Sequence, residues 1–595
     1  MNYNTNNITG FAAYVSSIDE DTSLNHTDSS VTQKITSITS PSNVSSFNSK
    51  NWGYITGQSI YSGGTFMSIP KSSQPDQVLH VSTPKGAKFF LHFGVKTGPD
   101  LPAGTYSKKI LVTAITNRVP TTATLKTGID FLSTIRSVDT LGNIKKFKRS
   151  STAPATSVST KIASIPTSEM PVYLWYDAPL QTVFWWSDAD TVYANEDSSQ
   201  MFAGLGGVEK IDMDGINTSR VKNMSYMFHS GSGLYKEINL ASFDTSNVED
   251  MSYMFATLKK KIMINIDPID FSRFNTSKVK NMAGMFSGSF LPSLNIKNFD
   301  TSNVKNMEQM FNGLKNVRNL DLSGWNVKKV NNIQTIFTGS NQLQSLNLSG
   351  WQMDSVTSMY SMFSGLINLT SLNLTGFTTK NVTNMQFMFA DVRKLTDLDL
   401  SSFDTSKVTT MSQMFGNMES LNSINLSSFN TSNVTDMSGL FWMNDTMNPQ
   451  ISRLDLSNFD TSNVTDMKRM FQGLSNLTEL KIQSFNTKKV TNMSSMFSGA
   501  FMNPANGILD ISNFDTRNVT DMTSMFSLSK LKTIYASPSF VTTAITVSLL
   551  TPNKPFMNNT NLVGGNGTQY VHPNNGIQYA HIDTPGNPGY FTQKP

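Results

Sequence analysis

The sequence predicts an α/β solenoid, built from short parallel strands plus short helices and capped at both ends, preceded by an all-β sandwich-like domain. Three observations carry this prediction. A Met-Phe dipeptide (Ile-Phe or Leu-Phe in two copies) recurs with its aromatic residue at Phe202, Phe228, Phe255, Phe286, Phe311, Phe337, Phe363, Phe389, Phe415, Phe441, Phe471, Phe497 and Phe526. Most steps are 26 residues long and all lie between 25 and 31; a fixed period of roughly 20–50 residues marks a stacked array and not a globule with one centre. Within each period the apolar spacing changes from two to three and four. The first 118 residues lack the period and alternate apolar with polar instead.

Residues 1–118 contain short alternating runs at 78–82, 87–95 and 106–115, separated by turn segments such as GPDLPAGTY. Period-2 alternation with frequent Gly/Pro/Asp turns reads as a β-sandwich-like module. Residues 119–205 are mixed, and PVYLWYD and QTVFWWSD read as two aromatic strands. An array needs a polar-sided cap over its first repeat, and this segment is placed to be that cap. The repeats occupy 206–530. Residues 531–595 lose the pattern and turn Gly/Pro/Asn-rich, as a C-terminal cap would.

One repeat illustrates the rest. Leu398 and Leu400 are two apart, so they share one face of a strand while Asp399 faces the other way. Thr405 or Ser406 offers a side-chain oxygen for a helix N-cap. Val408, Met411, Met414 and Phe415 then follow at i, i+3, i+6 and i+7, the spacing of one helical face. A unit this small cannot bury enough to stand alone, so it shares its core and strand bonds with both neighbours. Strands stack at about 4.8 Å and helices at about 8–10 Å, so a stack with one on each side is expected to curve, strands inside.

Composition narrows the function. The net charge is +5, from 47 Lys+Arg and 42 Asp+Glu, and only 15% of residues are charged. The nearest approaches to a basic run are Lys145, Lys146, Lys148 and Arg149, and Lys259 to Lys261. Neither is interleaved with stacking aromatics, which argues against nucleic-acid binding. The absence of cysteine removes disulfides, thiolate catalysis and Cys-ligated metals, and fits a cytosolic protein or a secreted bacterial one equally. MNYNTNNITGF shows no signal-peptide pattern and no apolar run is long enough to span a bilayer. An exported protein would therefore draw its signal and anchor from segments absent from this chain.

The repeat resembles the leucine-rich repeats, and more closely the BspA-like 26-residue-repeat surface proteins of Gram-positive and related bacteria. The resemblance rests on FDTSNVEDMSYMF (243–255), FDTSNVKNMEQMF (299–311), FNTSNVTDMSGLF (429–441) and FDTSNVTDMKRMF (459–471). It extends to VYLWYD and VYANEDSSQMF before the array, and to NLVGGNGTQY and PGYFT after it. It covers about 120–595. The leading segment WGYITG…LPAGTYSKKILVTAITN is similar, less closely, to β-sandwich modules of comparable exported proteins. The family resemblance implies a leucine-rich-repeat fold and a role in cell-surface adhesion or host contact.

The residue between the two strand leucines is the best candidate for a functional column. It reads Asp212, Asn239, Asn295, Asp321, Asn347, Asn373, Asp399, Asn425, Asp455, Lys481 and Asp510, with Asp270 fitting less cleanly. One reading is a ladder that solvates the open face and hydrogen-bonds along the stack. The other is a polar, mildly acidic surface for a glycan, a basic partner or a cation; the near absence of aromatics at these positions weighs against a glycan. Ser323, Ser349, Thr375, Ser401, Ser427 and Ser457 form a second polar column. The 33 methionines are spaced as core, not as a soft-metal relay, and Trp325 and Trp351 replace a core Phe. Trp442 opens the insertion WMNDTMNPQ; KKKIMINIDP and GAFMNPANG lengthen other repeats. Insertions map to loops on one edge, often the binding edge, so Trp442 is either part of a binding loop or local packing.

Histidines 26, 80, 92, 229, 572 and 581 have no ligand spacing, and no nucleophile elbow, P-loop or dinucleotide fingerprint occurs. No metal or cofactor is expected. The sequence reading is a non-enzymatic, exported bacterial surface protein that recognises a host or neighbouring-cell protein or glycan. The rival reading is a structural stalk or self-assembling filament or lattice subunit.

Overall fold

The computed structural model describes residues 2–3, 11–57, 64–81, 87–116, 121–139, 142–230, 236–258, 269–502, 507–546 and 553–595. Most of MNYNTNNITGF, all of KKKIMINIDP with Lys259 to Lys261, and the centre of GAFMNPANG lie outside the described residues. The protein is mostly β, with repeated short strands and few helices. It divides into two compact units, Met1–Thr121 and Thr122–Pro595.

In the first unit, strands Leu91–Lys96, Asn51–Thr56, Lys34–Ser37, Leu24–His26 and Tyr106–Ser107 form one sheet in that order. Ile110–Thr116, Phe11–Ser17 and Asp76–Val81 form another. Val15 from the second sheet and Ile35, Trp52 and Tyr54 from the first meet, with Ile69, in one buried apolar cluster. The run 87–95, continuous in its alternation, is broken: Ala87–Lys88 pairs with Asn2–Tyr3, and a buried Phe89 separates it from the strand that begins at Leu91.

The second unit has a single core running from Ala123 to Phe591. Its axis is a row of phenylalanine rings. Phe311 and Phe337 lie 5.6 Å apart at 4°, Phe337 and Phe363 5.9 Å apart at 3°, and Phe363 and Phe389 5.1 Å apart at 17°. The row is continuous from Phe202 to Phe556. Long repeats do not interrupt it: Phe441 and Phe471 still stack at 6.2 Å. Each end is closed by rings set edge-on. Phe131, on helix Gly128–Val138, and Phe147 abut Phe202, while Tyr590 and Phe591 abut Phe556. Trp325 and Trp351 are buried in a neighbouring row, stacked 6.5 Å apart, and Met411 and Met414 are wholly buried beside Phe415.

On one side of this core, three-residue strands pair in parallel with the next repeat. Asn319–Asp321, Ser345–Asn347 and Ser371–Asn373 form one such set, with Leu320, Leu346 and Leu372 in register. Asp397–Asp399 with Ser423–Asn425, and Arg453–Asp455 with Glu479–Lys481, form others. Leu398 and Leu400 are buried, as period 2 requires.

The other side departs from the helical expectation. The segment from Val408 to Phe415 is a pair of tight turns, not a helix. Met414 N donates to Met411 O at 3.1 Å and Gly416 N to Gln413 O at 3.1 Å, closing i to i+3 turns. Alternate N–H groups leave the repeat altogether: Met411, Gln413, Phe415 and Asn417 donate to Asp436, Ser438, Leu440 and Trp442 carbonyls at 2.7–3.0 Å. Gln413 holds φ at +52°, and the equivalent Gln309, Thr335, Ser361 and Phe387 are also left-handed. Such residues end a right-handed helix. Two successive turns advance the chain by threes, so they place Val, Met, Met and Phe on one face as a helix would. The spacing alone does not separate the two geometries.

Thr405 likewise caps no helix. Its buried hydroxyl donates to Asn430 O at 2.9 Å and accepts from Asn430 N at 2.8 Å, clamping one repeat to the next. Thr461 clamps Asn486 and Thr487 clamps Asp515 in the same way. Ser406 N is capped by Asp404 Oδ1 at 3.0 Å. A second parallel ladder runs through Ser358, Asn384, Thr410, Asp436, Asp466, Asn492 and Asp521. The turn side is thus tied from repeat to repeat by backbone hydrogen bonds, the strand side within sets of two or three repeats, and the helices on which the expected curvature rested do not form among the described residues of the array.

Two substitutions test this account. Phe363→Ala removes one ring from the row and is expected to cost about 3–5 kcal/mol in chemical denaturation. Thr405→Val leaves the Asn430 N–H and carbonyl without the hydroxyl and should cost about 1–3 kcal/mol, with Thr405→Ser losing much less.

Candidate functional site

The polar column lies where the strand pattern puts it. In each strand the central residue turns inward, so the flanking residues turn out; Asp399 flanks the buried Leu398. Most Asp and Asn residues of the column then close a small turn through their own side chains. Asp399 Oδ1 accepts from Ser401 N at 3.0 Å, Asn347 Oδ1 from Ser349 N at 3.1 Å and Asn373 Oδ1 from Thr375 N at 3.1 Å. Asp321, Asn425 and Asp455 do the same with Ser323, Ser427 and Ser457. Asp270 makes this turn with Ser272 N at 2.9 Å, so it belongs to the column despite its weaker pattern.

Neighbours in the column also bond to one another. Asn347 Nδ2 donates to Asp321 Oδ1 at 3.0 Å, Asn425 Nδ2 to Asp399 Oδ1 at 3.0 Å, and Asn239 Nδ2 to Asp212 Oδ1 at 2.8 Å. Lys481 reaches Asp455 Oδ2 at 2.9 Å and Lys297 reaches Asp321 Oδ2 at 2.7 Å. Asn373, Asp399, Asn425 and Asp455 remain exposed, as does Asn295, which lies outside the strands. The geometry is therefore that of a self-bonded ladder with outward lone pairs and amides left over. Lys297, with Ser323, holds the Asp321 carboxyl down at about 2, and Ser457, with Lys481, holds Asp455 at about 2. Among the described residues no group of three or more His, Cys, Asp or Glu is placed to hold a metal ion.

Trp442 is more deeply tied into the stack than its insertion suggests. Its carbonyl accepts from Asn417 N at 2.7 Å, within the turn-side ladder. Its side chain is half-buried against Gly416 and Gly439, and its indole Nε1 is buried with no hydrogen-bond partner among the described residues. The insertion proper begins at Asn444, whose N–H donates to Asn417 Oδ1 at 2.9 Å. A further column, not evident from the strand pattern, runs through the residue before each core valine. There Lys329 bonds Asn303 Oδ1 at 2.7 Å and Lys407 bonds Asn381 Oδ1 at 2.6 Å, while Asn303 and Asn381 each donate to the repeat before at 2.8 Å. The alternation of Asn and Lys at that position was the available signal.

Four consecutive matches, at 196–291, 258–373, 366–458 and 450–536, align this array with the family described as Mycoplasma protein of unknown function, DUF285. Together they span more than half of the chain. The chain belongs to the DUF285 family. No curated protein matches it by sequence. Among solved structures it has a weak likeness to the functional domain of InlJ from Listeria monocytogenes, a structure described as including a cysteine ladder. Identity there is 13%, covering 53% of this chain and 68% of that one, with a TM-score of 0.16. A second weak likeness is to the Toll–Spatzle complex of Drosophila, at 13% identity, covering 68% of this chain and 53% of that one, with a TM-score of 0.18. Among the described residues of this DUF285 protein, no helix is long and apolar enough to cross a membrane.

The depressed carboxyls set an acid limit. Their folded values lie below the ordinary 3.8, so their contribution is present above that value and is lost as pH falls toward about 2. The thermal midpoint is expected to drop over this window, and Asp321→Asn should make the drop shallower when melting is followed against pH.

Proposed function

We propose that this protein is a non-enzymatic, exported bacterial cell-surface protein of the BspA-like type. Its repeats form a leucine-rich-repeat solenoid with an N-terminal and a C-terminal cap. It mediates adhesion by recognising a protein or glycan on a host or neighbouring cell. The observation that carries this reading is the long, regular polar face of the array. Exposed Asn373, Asp399, Asn425 and Asp455 recur once per repeat, each held in position by a turn, and Asp399, Asn425 and Asp455 also by a neighbour in the column. Such a face offers many weak, preorganised polar contacts, which suits recognition of an extended partner. The loop that follows Trp442 adds an irregular edge to it.

A specific observation favours the second reading, self-assembly. Leu91–Lys96 is the end strand of its sheet, and it exposes Phe93 and Val95. Unpaired strand edges with apolar side chains are templates for pairing with another chain. Two measurements decide between the readings. Labelled full-length protein should bind epithelial or bacterial cells saturably, and electron microscopy should show separate particles. Filaments or lattices without saturable cell binding would favour assembly. Replacing Asn444 to Pro449 with a Gly-Ser linker should weaken cell binding if that edge takes part.

A further inference from the structure

The sheet that carries the start of the polar column is not confined to the repeats. The column's first members, Asp212 and Asn239, lie in a six-stranded sheet that runs back into the segment before the array. The strand order is Lys161–Ile162, Tyr173–Asp177, Thr182–Trp186, Lys146–Arg149, Lys210–Asp212, Glu237–Asn239. Alternation sends Leu174, Val183, Trp185, Phe147 and Ile211 into the core. It sends Tyr173, Trp175, Phe184, Trp186 and Lys148 to the opposite face.

Register then assembles those side chains into two rows. Tyr173 pairs with Trp186 and with the 45% exposed Ile162; Trp175 pairs with Phe184, which in turn pairs with Lys148. The rings of Tyr173 and Trp186 are stacked at 6.3 Å and 26°, those of Trp175 and Phe184 at 5.7 Å and 23°. Lys148 Nζ stands 5.2 Å from the Phe184 ring centre. Trp175 forms the buried floor, while Tyr173, Phe184 and Trp186 are half-buried. Beyond the strand of Lys148 the same face continues as Asp212 and then, on the next strand, Asn239, joined by their 2.8 Å bond.

We propose that this face is a binding platform for a linear acidic glycan, one bearing carboxylated sugars. The proposal rests on the adhesion reading for its biological use but not for its chemistry. Pyranose rings present apolar C–H faces that lie flat on aromatic rings, and hydroxyl rims that need donors and acceptors. The platform supplies flat rings, and Asp212 and Asn239 supply the polar partners alongside. Charge selects the acidic class: Lys148 and the exposed Lys146 form no ion pair among the described residues, so they are available to a carboxylate. A nucleic-acid strand fits less well. Its phosphates, one per nucleotide, would outnumber the two ammonium groups of this face, Lys146 and Lys148, that form no ion pair among the described residues. The column lacks aromatics within the repeats; the preceding sheet provides them on the same face.

The test is affinity electrophoresis of the full chain in gels containing hyaluronan, polysialic acid, uncharged dextran or poly(dT). Retardation by at least one of the two acidic polymers, and not by dextran, is expected. Trp186→Ala should weaken it about tenfold, as loss of an aromatic anchor does, and Trp186→Phe should restore most of it. Lys148→Gln should weaken acidic-polymer binding, and all three variants should melt with the parent. Equal mobility in the acidic and plain gels would overturn the proposal. So would retention unchanged by Trp186→Ala, retention by dextran equal to that by the acidic polymers, or stronger retardation by poly(dT). Cell binding is read on the same proteins. Acidic-polymer binding without cell binding would sink the adhesion reading and leave the platform standing; cell binding without polymer binding would do the reverse.

Discussion

Each repeat of the second unit is held by a constraint that acts between repeats, not within them. Backbone N–H groups on both sides of the core reach carbonyls of the next repeat, and the Phe ring of each repeat rests on the ring before it. A parallel ladder fixes register to one residue, because a slip by one would turn every buried side chain outward. The ring row fixes it a second time. With register set twice, insertions have only one way to go, which is outward from the stack. That is why Phe441 and Phe471 remain stacked across a longer repeat.

The same constraint explains the surface. A residue that lies at one position of every repeat meets its own kind at each step along the stack, so the chemistry of a position becomes the chemistry of a line. Like charges stacked at one-strand spacing would repel. The outward column mixes Asp with Asn or Lys, and its carboxylates at Asp321, Asp399 and Asp455 are met by amides or ammonium groups. The leftover hydrogen-bonding capacity faces outward in a fixed geometry. A ladder that stabilises the stack and a surface that meets a partner are thus two consequences of one arrangement.

The ends solve a different problem. A stacked row exposes a ring face at each terminus, and apolar faces of that size need cover. Helix Gly128–Val138 brings Phe131 against the first ring, and Tyr590 and Phe591 close the last. The sheet beside Phe131 has to turn a second set of side chains away from the core, and there the aromatics of Tyr173–Asp177 and Thr182–Trp186 gather. Covering the core and building an outward aromatic face come from the same two strands.

Periodicity, the buried Leu, Met and Phe positions, the outward column and the two aromatic strands were legible in the amino-acid sequence, because each depends on spacing along one chain. The turn side was not. Val408, Met411, Met414 and Phe415 share a face in a helix and in consecutive turns alike, and only the partners of their N–H groups distinguish the two. Thr405 has the same ambiguity, since a hydroxyl placed to cap a helix is also placed to reach Asn430. The pairing of Lys148 with Phe184 and the continuation to Asp212 belong to tertiary structure for a related reason. They join strands separated by long stretches of chain, and cross-strand register is decided by packing against a shared core rather than by any local pattern.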